Sequence, residues 1–192
     1  MQLLIDILQG MGLSGAAGLR PFLPALVAGG LATADVGVDY EDTPFAFLEQ
    51  PAWLAAVAVA LVAVLILARR EPLAGRLESA VQGIGLGLGA LLFAATLADN
   101  TDIWWPGLLA GAVIAALAAA ATGSLIARVR ARLDPEARAA LPVYLEGSAV
   151  VLAVLAIVAA PISVLAIGFF AFLLRGAKRR EGEKYAGLRV LR

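Results

Sequence analysis

Arg20, directly followed by Pro21, stands in a nearly uncharged stretch from Leu3 to Ala34 that it shares with one other charge, Asp6. In a membrane such an arginine costs about 2.5–3.5 kcal/mol on insertion scales, so its position is by default a functional one. Pro21 and Pro24 fall within one turn, where the first amides of a helix have no intrahelical acceptor, and a new half-helix is therefore expected to begin at Pro21. The positive end of that half-helix and the guanidinium would converge on one spot, the arrangement broken transporter helices use for anionic groups. The preceding run, with Ser14 and Gly18, is small enough to let a ligand or a neighbouring backbone come close.

Glu146, in the segment YLEGSAVV, is the best intramembrane carboxylate for Arg20. The two could form a structural pair, a proton-coupling acid with its counter-charge, or the halves of a binding site. The plainer alternative has Arg20 reaching the headgroups. Asp6, Glu78 and Gln82 are weaker candidates, because each can sit at an interface.

The elements that must hold these residues are membrane helices. The 192-residue chain is 61% hydrophobic, with a mean hydropathy of +0.89, and has several apolar runs of about the 20 residues that cross a hydrocarbon core. Zero net charge argues against nucleic acid as a partner, and the absence of Cys and His removes thiolate, imidazole and iron–sulfur chemistry. No cofactor or metal is expected. The N-terminus lacks the basic region of a cleaved signal peptide and reads as mature protein.

Five apolar regions are clear, at about 3–34, 52–68, 80–98, 103–127 and 141–175. Fourteen of the fifteen Lys and Arg follow the second or fourth region or lie in the tail, whereas the loops 35–51 and 99–102 hold seven acids and neither Lys nor Arg. Basic flanks mark the cytoplasmic side, so those two loops face outward and the C-terminus lies inside. Trp53, Trp104 and Trp105 re-enter the bilayer next to them, as interfacial aromatics do. Asp134-Pro135-Glu136 reads as the start of a short cytoplasmic helix. The last region splits into a hairpin, 142–159 and 162–175, with Pro161 at its outer turn.

The first region is either one broken span with the N-terminus inside, or two short segments with Arg20-Pro21 near the cytoplasmic face and the N-terminus outside. The fold expected is thus an all-α polytopic membrane protein of six or seven segments, its first and last apolar regions broken at proline. A single domain covers 1–176, and 177–192 forms a basic cytoplasmic tail in which Lys178, Arg179 and Arg180 would attract anionic headgroups.

The third region carries two stripes of small residues, Gly83 with Gly87 and Gly85 with Gly89, and two such stripes imply a central helix packed on both sides. Gly107 and Gly111 repeat the pair in the fourth region and mark either its contact with the third or a homo-oligomer face. The outer acids Asp35, Asp39, Glu41, Asp42, Asp99 and Asp102 could offer hard oxygens to a divalent cation, but their spacing matches no EF-hand loop, and hydration is the better reading.

At GLSGAAGLRPFLPALVAGGLA the chain resembles a bacterial membrane-protein family described as a domain of unknown function, whose signature is Gly-Leu-x-x-x-Pro after a small-residue run. Gly18, Leu19 and Pro24 correspond to it, with four residues rather than three between Leu19 and Pro24, and the resemblance extends over most of the chain. Arg20 stands where the family commonly has Asn. Glu146 falls on an acid of a Ser-Leu-x-Glu-Asp segment, although the neighbours here are Tyr144 and Gly147. Arg69-Arg70-Glu71-Pro72 replaces the family's Asp-Lys-x-Pro, keeping the proline and losing the acid–base pair. The resemblance implies no activity.

The reading these residues support is a small transporter or channel of the bacterial inner membrane, using Arg20, Pro21, Gly18, Ser14 and Glu146 for an anion or an anionic lipid headgroup. The alternative is a non-catalytic scaffold or assembly factor in which Arg20 and Glu146 lock the fold. An enzyme is not expected, since Ser14, Ser148 and Ser163 lack a recognisable base. The partners expected are membrane lipids, a small anion and a second copy of the chain.

Overall fold

The computed structural model describes residues 1–70 and 76–186. Glu71 and Pro72 of the Arg69-Arg70-Glu71-Pro72 motif, and residues 187–192 of the tail, lie outside the described residues. Among those described there are seven α-helices and no strand: α1 Gln2–Leu19, α2 Phe22–Ala32, α3 Pro51–Arg70, α4 Arg76–Ala98, α5 Trp105–Arg130, α6 Pro135–Val158 and α7 Ile162–Ala186, with a 3-10 turn at Ala46–Glu49. By length and composition α4, α5 and α6 can each cross a membrane, and 22–32, 51–67 and 162–176 are shorter apolar helices. Large apolar side chains point outward all round, among them Val59, Leu109, Val113, Val158, Leu165 and Phe172, each more than half exposed. A belt of that kind needs a hydrocarbon surround.

α1 is the centre of the bundle, packed against α4, α5, α6 and α7. This corrects the expectation that the third apolar region, α4, would be central; α4 packs chiefly on α1 and α5. The reason is composition. From Gly10 to Gly18 the first helix is built almost wholly of Gly, Ala and Ser, so four neighbours can reach its backbone, and Leu13, Ser14, Ala16 and Ala17 are fully buried.

Only one of the two stripes on α4 does this packing. A Cβ on Gly85 would sit 2.9 Å from the Ala17 carbonyl oxygen, and one on Gly89 would sit 2.7 Å from the Ala115 Cβ. Gly107 and Gly111 face the same helix, their Cβ positions 2.8 Å from the Ala94 Cα and 2.9 Å from the Ala90 Cα. The fourth-region pair therefore marks the contact with α4. Gly83 and Gly87 meet nothing within 4 Å among the described residues, which overturns their assignment as packing positions.

The first apolar region is two antiparallel segments, and the chain reverses at Arg20. Gly10 lies beside Thr96 while Ala17 lies beside Gly85, so α1 runs against α4. α2 then returns to the end where α1 starts, since Thr33 Oγ1 donates to the Glu49 carbonyl and Gln9 at the top of α1 reaches Gly37. The N-terminus therefore shares an end with the loop 35–51, and a single broken span is excluded. The reversal also lies well inside the bundle, away from the end of α5 that carries its arginines. Gly18 abuts Ala115, and twelve residues of α5, with about 20 Å of helix from Ala115 to Arg128, separate it from that basic end. α1 and α2 thus form a re-entrant hairpin, tolerable at that depth because its bend is enclosed by protein.

The last apolar region turns at Pro161 between α6 and α7. Pro135 does open a helix after Asp134, but it is no separate short one: α6 continues through Pro142 to Val158. Pro142 lies seven residues beyond Pro135, and the α-helical course continues on both sides of it. α7 likewise runs past 176 to Ala186, so the tail begins as a continuation of the last helix.

The aromatics beside the outer loops fasten those loops down. Trp104 stacks edge-on against Phe45 at 5.4 Å and Trp53 against Phe47 at 5.1 Å, closing the loop over the ends of α3 and α5. Tyr40 is fully buried beneath it, and its backbone N–H donates to Glu49. Gly37, at φ +74°, takes the left-handed turn that presents its carbonyl to Gln9.

Burial holds the Glu49 carboxyl above its ordinary 4.5, offset by the Tyr40 N–H and reinforced by Asp39, Glu41 and Asp35. Burial also raises Asp99, with Asp39 adding to it. A carboxyl raised in the fold contributes stability that is present at low pH and lost as pH rises through its folded value. Melting temperature should therefore rise as pH is lowered toward the ordinary carboxylate range, and Glu49→Gln should flatten that rise. A steeper rise in the variant would contradict this account.

Candidate functional site

The site lies at the bend. α1 ends at Arg20, whose backbone is extended (φ −149°, ψ 123°), while its N–H still closes the last turn on Ala16. Pro21 takes the helical conformation as the cap of α2, because proline has the φ a first turn needs and no amide to leave unpaired. The first amides of α2 open toward the bend without intrahelical acceptors.

Glu146 reaches the same place from α6, eleven residues after Pro135 and twelve before Val158, near the middle of the helix. The structure brings the two charges together, with Arg20 Nε 3.4 Å from Glu146 Oε1 and each side chain about one-fifth exposed. The fit is incomplete. Arg20 Nε and Glu146 Oε2 are both buried and neither makes a hydrogen bond. Nor do the terminal nitrogens of the guanidinium hydrogen-bond to any described residue. A carboxylate that uses one oxygen and a guanidinium that offers one edge leave a fork of donors open for a planar anion.

Gly18 and Ser14 do not join this site. Gly18 is pressed on the Ala115 backbone, where even a methyl group has no room. Ser14 is fully buried, and its hydroxyl donates to the Gly89 carbonyl at 2.7 Å, tying α1 to α4 above the bend. Both are packing residues. Between the bend and the outer loops α6 presents Ala149, Ala153 and Ala156, each fully buried, with Ala156 against Gly12. The pair is thus sealed from the outer end by small apolar side chains.

Sequence reasoning passed over Gln9. Its amide is buried and donates to both the Gly37 carbonyl at 2.7 Å and the Ile157 carbonyl at 3.0 Å, clasping the outer loop and the end of α6 to α1. An amide in the middle of an apolar helix was the available signal. Asp6 is also buried, and accepts from the Asn100 Nδ2 at 2.9 Å. Among the described residues the outer acids form no group of three or more that could hold a metal ion.

An all-helical bundle with an apolar exterior, three helices long enough to span, and a charged pair buried at a re-entrant bend defines a polytopic membrane protein. The chain belongs to the family described as Domain of unknown function (DUF4126), whose model matches residues 7–179 and so takes in both Arg20 and Glu146. No curated protein and no solved structure matches it.

Proposed function

We propose that this protein is a small transporter or channel of the bacterial inner membrane, with its C-terminus in the cytoplasm, that takes a small anion or an anionic headgroup at Arg20. The observation that supports this reading is the incomplete ion pair: a guanidinium at a helix break deep in the bundle, with its outer donors unspent. The unpaired amides of α2 add positive potential on the same side. Glu146 acts as the internal counter-charge, holding Arg20 in place until an anion takes over. The basic side of the bundle is the side of access, since the alanines of α6 close the other. The protein is non-catalytic in this reading, and bilayer lipid surrounds it.

A second reading, a scaffold with Arg20 and Glu146 as a lock, draws on the direct contact between the two side chains. Thermal stability of the purified protein, measured against inorganic phosphate and acetate, separates the two. The transport reading expects anion-dependent stabilisation that Arg20→Lys weakens about tenfold, because a lysine keeps the charge and loses the fork. A wild-type protein indifferent to both anions would leave the scaffold.

A further inference from the structure

A second feature, independent of the bend, lies at the opposite, basic end of α5. There α5 and α7 part to leave an open cleft of about 330 Å³. Its walls include Leu125 and Val129 from α5 and Phe172 and Leu173 from α7, with Arg128 and Arg132 also in the lining. Phe172 is 71% exposed, so the apolar wall faces whatever surrounds the helices. Neither guanidinium makes an ion pair or hydrogen bond with any of the described side chains, and both arginines line the same cleft. An apolar slot with two arginines in its lining, at the end of α5 where the basic residues begin, has the two-part chemistry of a phospholipid: an apolar wall for a chain and guanidinium groups for a phosphate.

We infer that the α5–α7 cleft is a binding site for an anionic phospholipid, with an acyl chain along Leu125, Val129, Phe172 and Leu173 and the phosphate held by Arg128 and Arg132. Arginine suits the role because its planar fork takes phosphate oxygens in pairs and is less strongly hydrated than an ammonium. Charge complementarity selects the occupant. A zwitterionic lipid brings a cation to the arginines along with its phosphate, and a second copy of this chain would have to bring an acid to them.

Native mass spectrometry of the detergent-purified full chain, titrated with phosphatidylglycerol and with phosphatidylcholine of the same chains, tests this. Phosphatidylglycerol should be retained about tenfold more tightly, and the Arg128→Gln/Arg132→Gln double variant should lose that preference, while Arg130→Gln, outside the cleft, keeps it. Phe172→Ser should weaken both lipids and leave the preference in place. This variant and the wild-type preference decide the matter if the double variant does not fold. Equal retention of the two lipids by the wild type overturns the proposal. So does displacement of phosphatidylglycerol by millimolar inorganic phosphate, which would make the arginines a phosphate site without a chain. A dimer that holds no lipid and falls apart on Phe172→Ser would overturn it in favour of a second copy.

Discussion

Arg20→Gln should destabilise the protein by about 2–4 kcal/mol, and Glu146→Gln by a similar amount, because each strands the other's charge in a place where water reaches only a fifth of it. The double variant, Gln at both positions, should recover most of the loss, since two amides can bond to each other and neither is charged. The coupling between the two substitutions is the quantity to measure, by chemical or thermal unfolding in a single detergent. Additive losses would show that the two side chains do not act as a pair. The anion reading adds a second expectation to the same set of proteins: the double variant folds, yet inorganic phosphate no longer raises its melting temperature.

The second large effect is steric. Gly111→Leu should cost more than 3 kcal/mol or abolish folding, because the Cβ alone would already lie 2.8 Å from the Phe93 Cβ and 2.9 Å from the Ala90 Cα, and press on the Gly89 carbonyl. Gly18→Leu should do the same against the Ala115 backbone. Gly83→Leu and Gly87→Leu should be close to neutral, since nothing described lies within 4 Å of either Cβ position. Yield of monodisperse protein after heating reads all four. A neutral Gly111→Leu, or a ruinous Gly87→Leu, would reverse the assignment of the two stripes.

That reversal shows where the sequence was readable and where it was not. Helix type, the breaks at Pro21 and Pro161 and the pairing of Arg20 with Glu146 follow from local rules: proline position, charge scarcity and the cost of an unpaired charge. Which of two equivalent glycine stripes faces a neighbour depends on the rotation of α4 about its own axis, and a regular Gly-x-x-x-Gly pattern is the same for either rotation. The centrality of α1 was written in its small residues, but α4 carries a glycine run of the same kind, and composition alone does not rank two small-residue helices. The role given to Ser14 failed for a related reason. A hydroxyl six residues from Arg20 lies almost two turns up the helix, too far to share its site, and a carbonyl exposed by Gly89 was nearer.

Because α1 is the hub, the first helix to be made is the last to be satisfied. Apart from α2, its partners begin at Arg76 and end in α7, so Ser14, Arg20 and Gln9 emerge about 75 to 148 residues before Gly89, Glu146 and Ile157 exist to receive them. During synthesis the hairpin carries an unpaired arginine and uncommitted polar side chains in a lipid setting, a state that long sequence separation prolongs. Assembly of this protein therefore waits on α6, and a chain cut short before Glu146 carries its central helix with nothing to neutralise it.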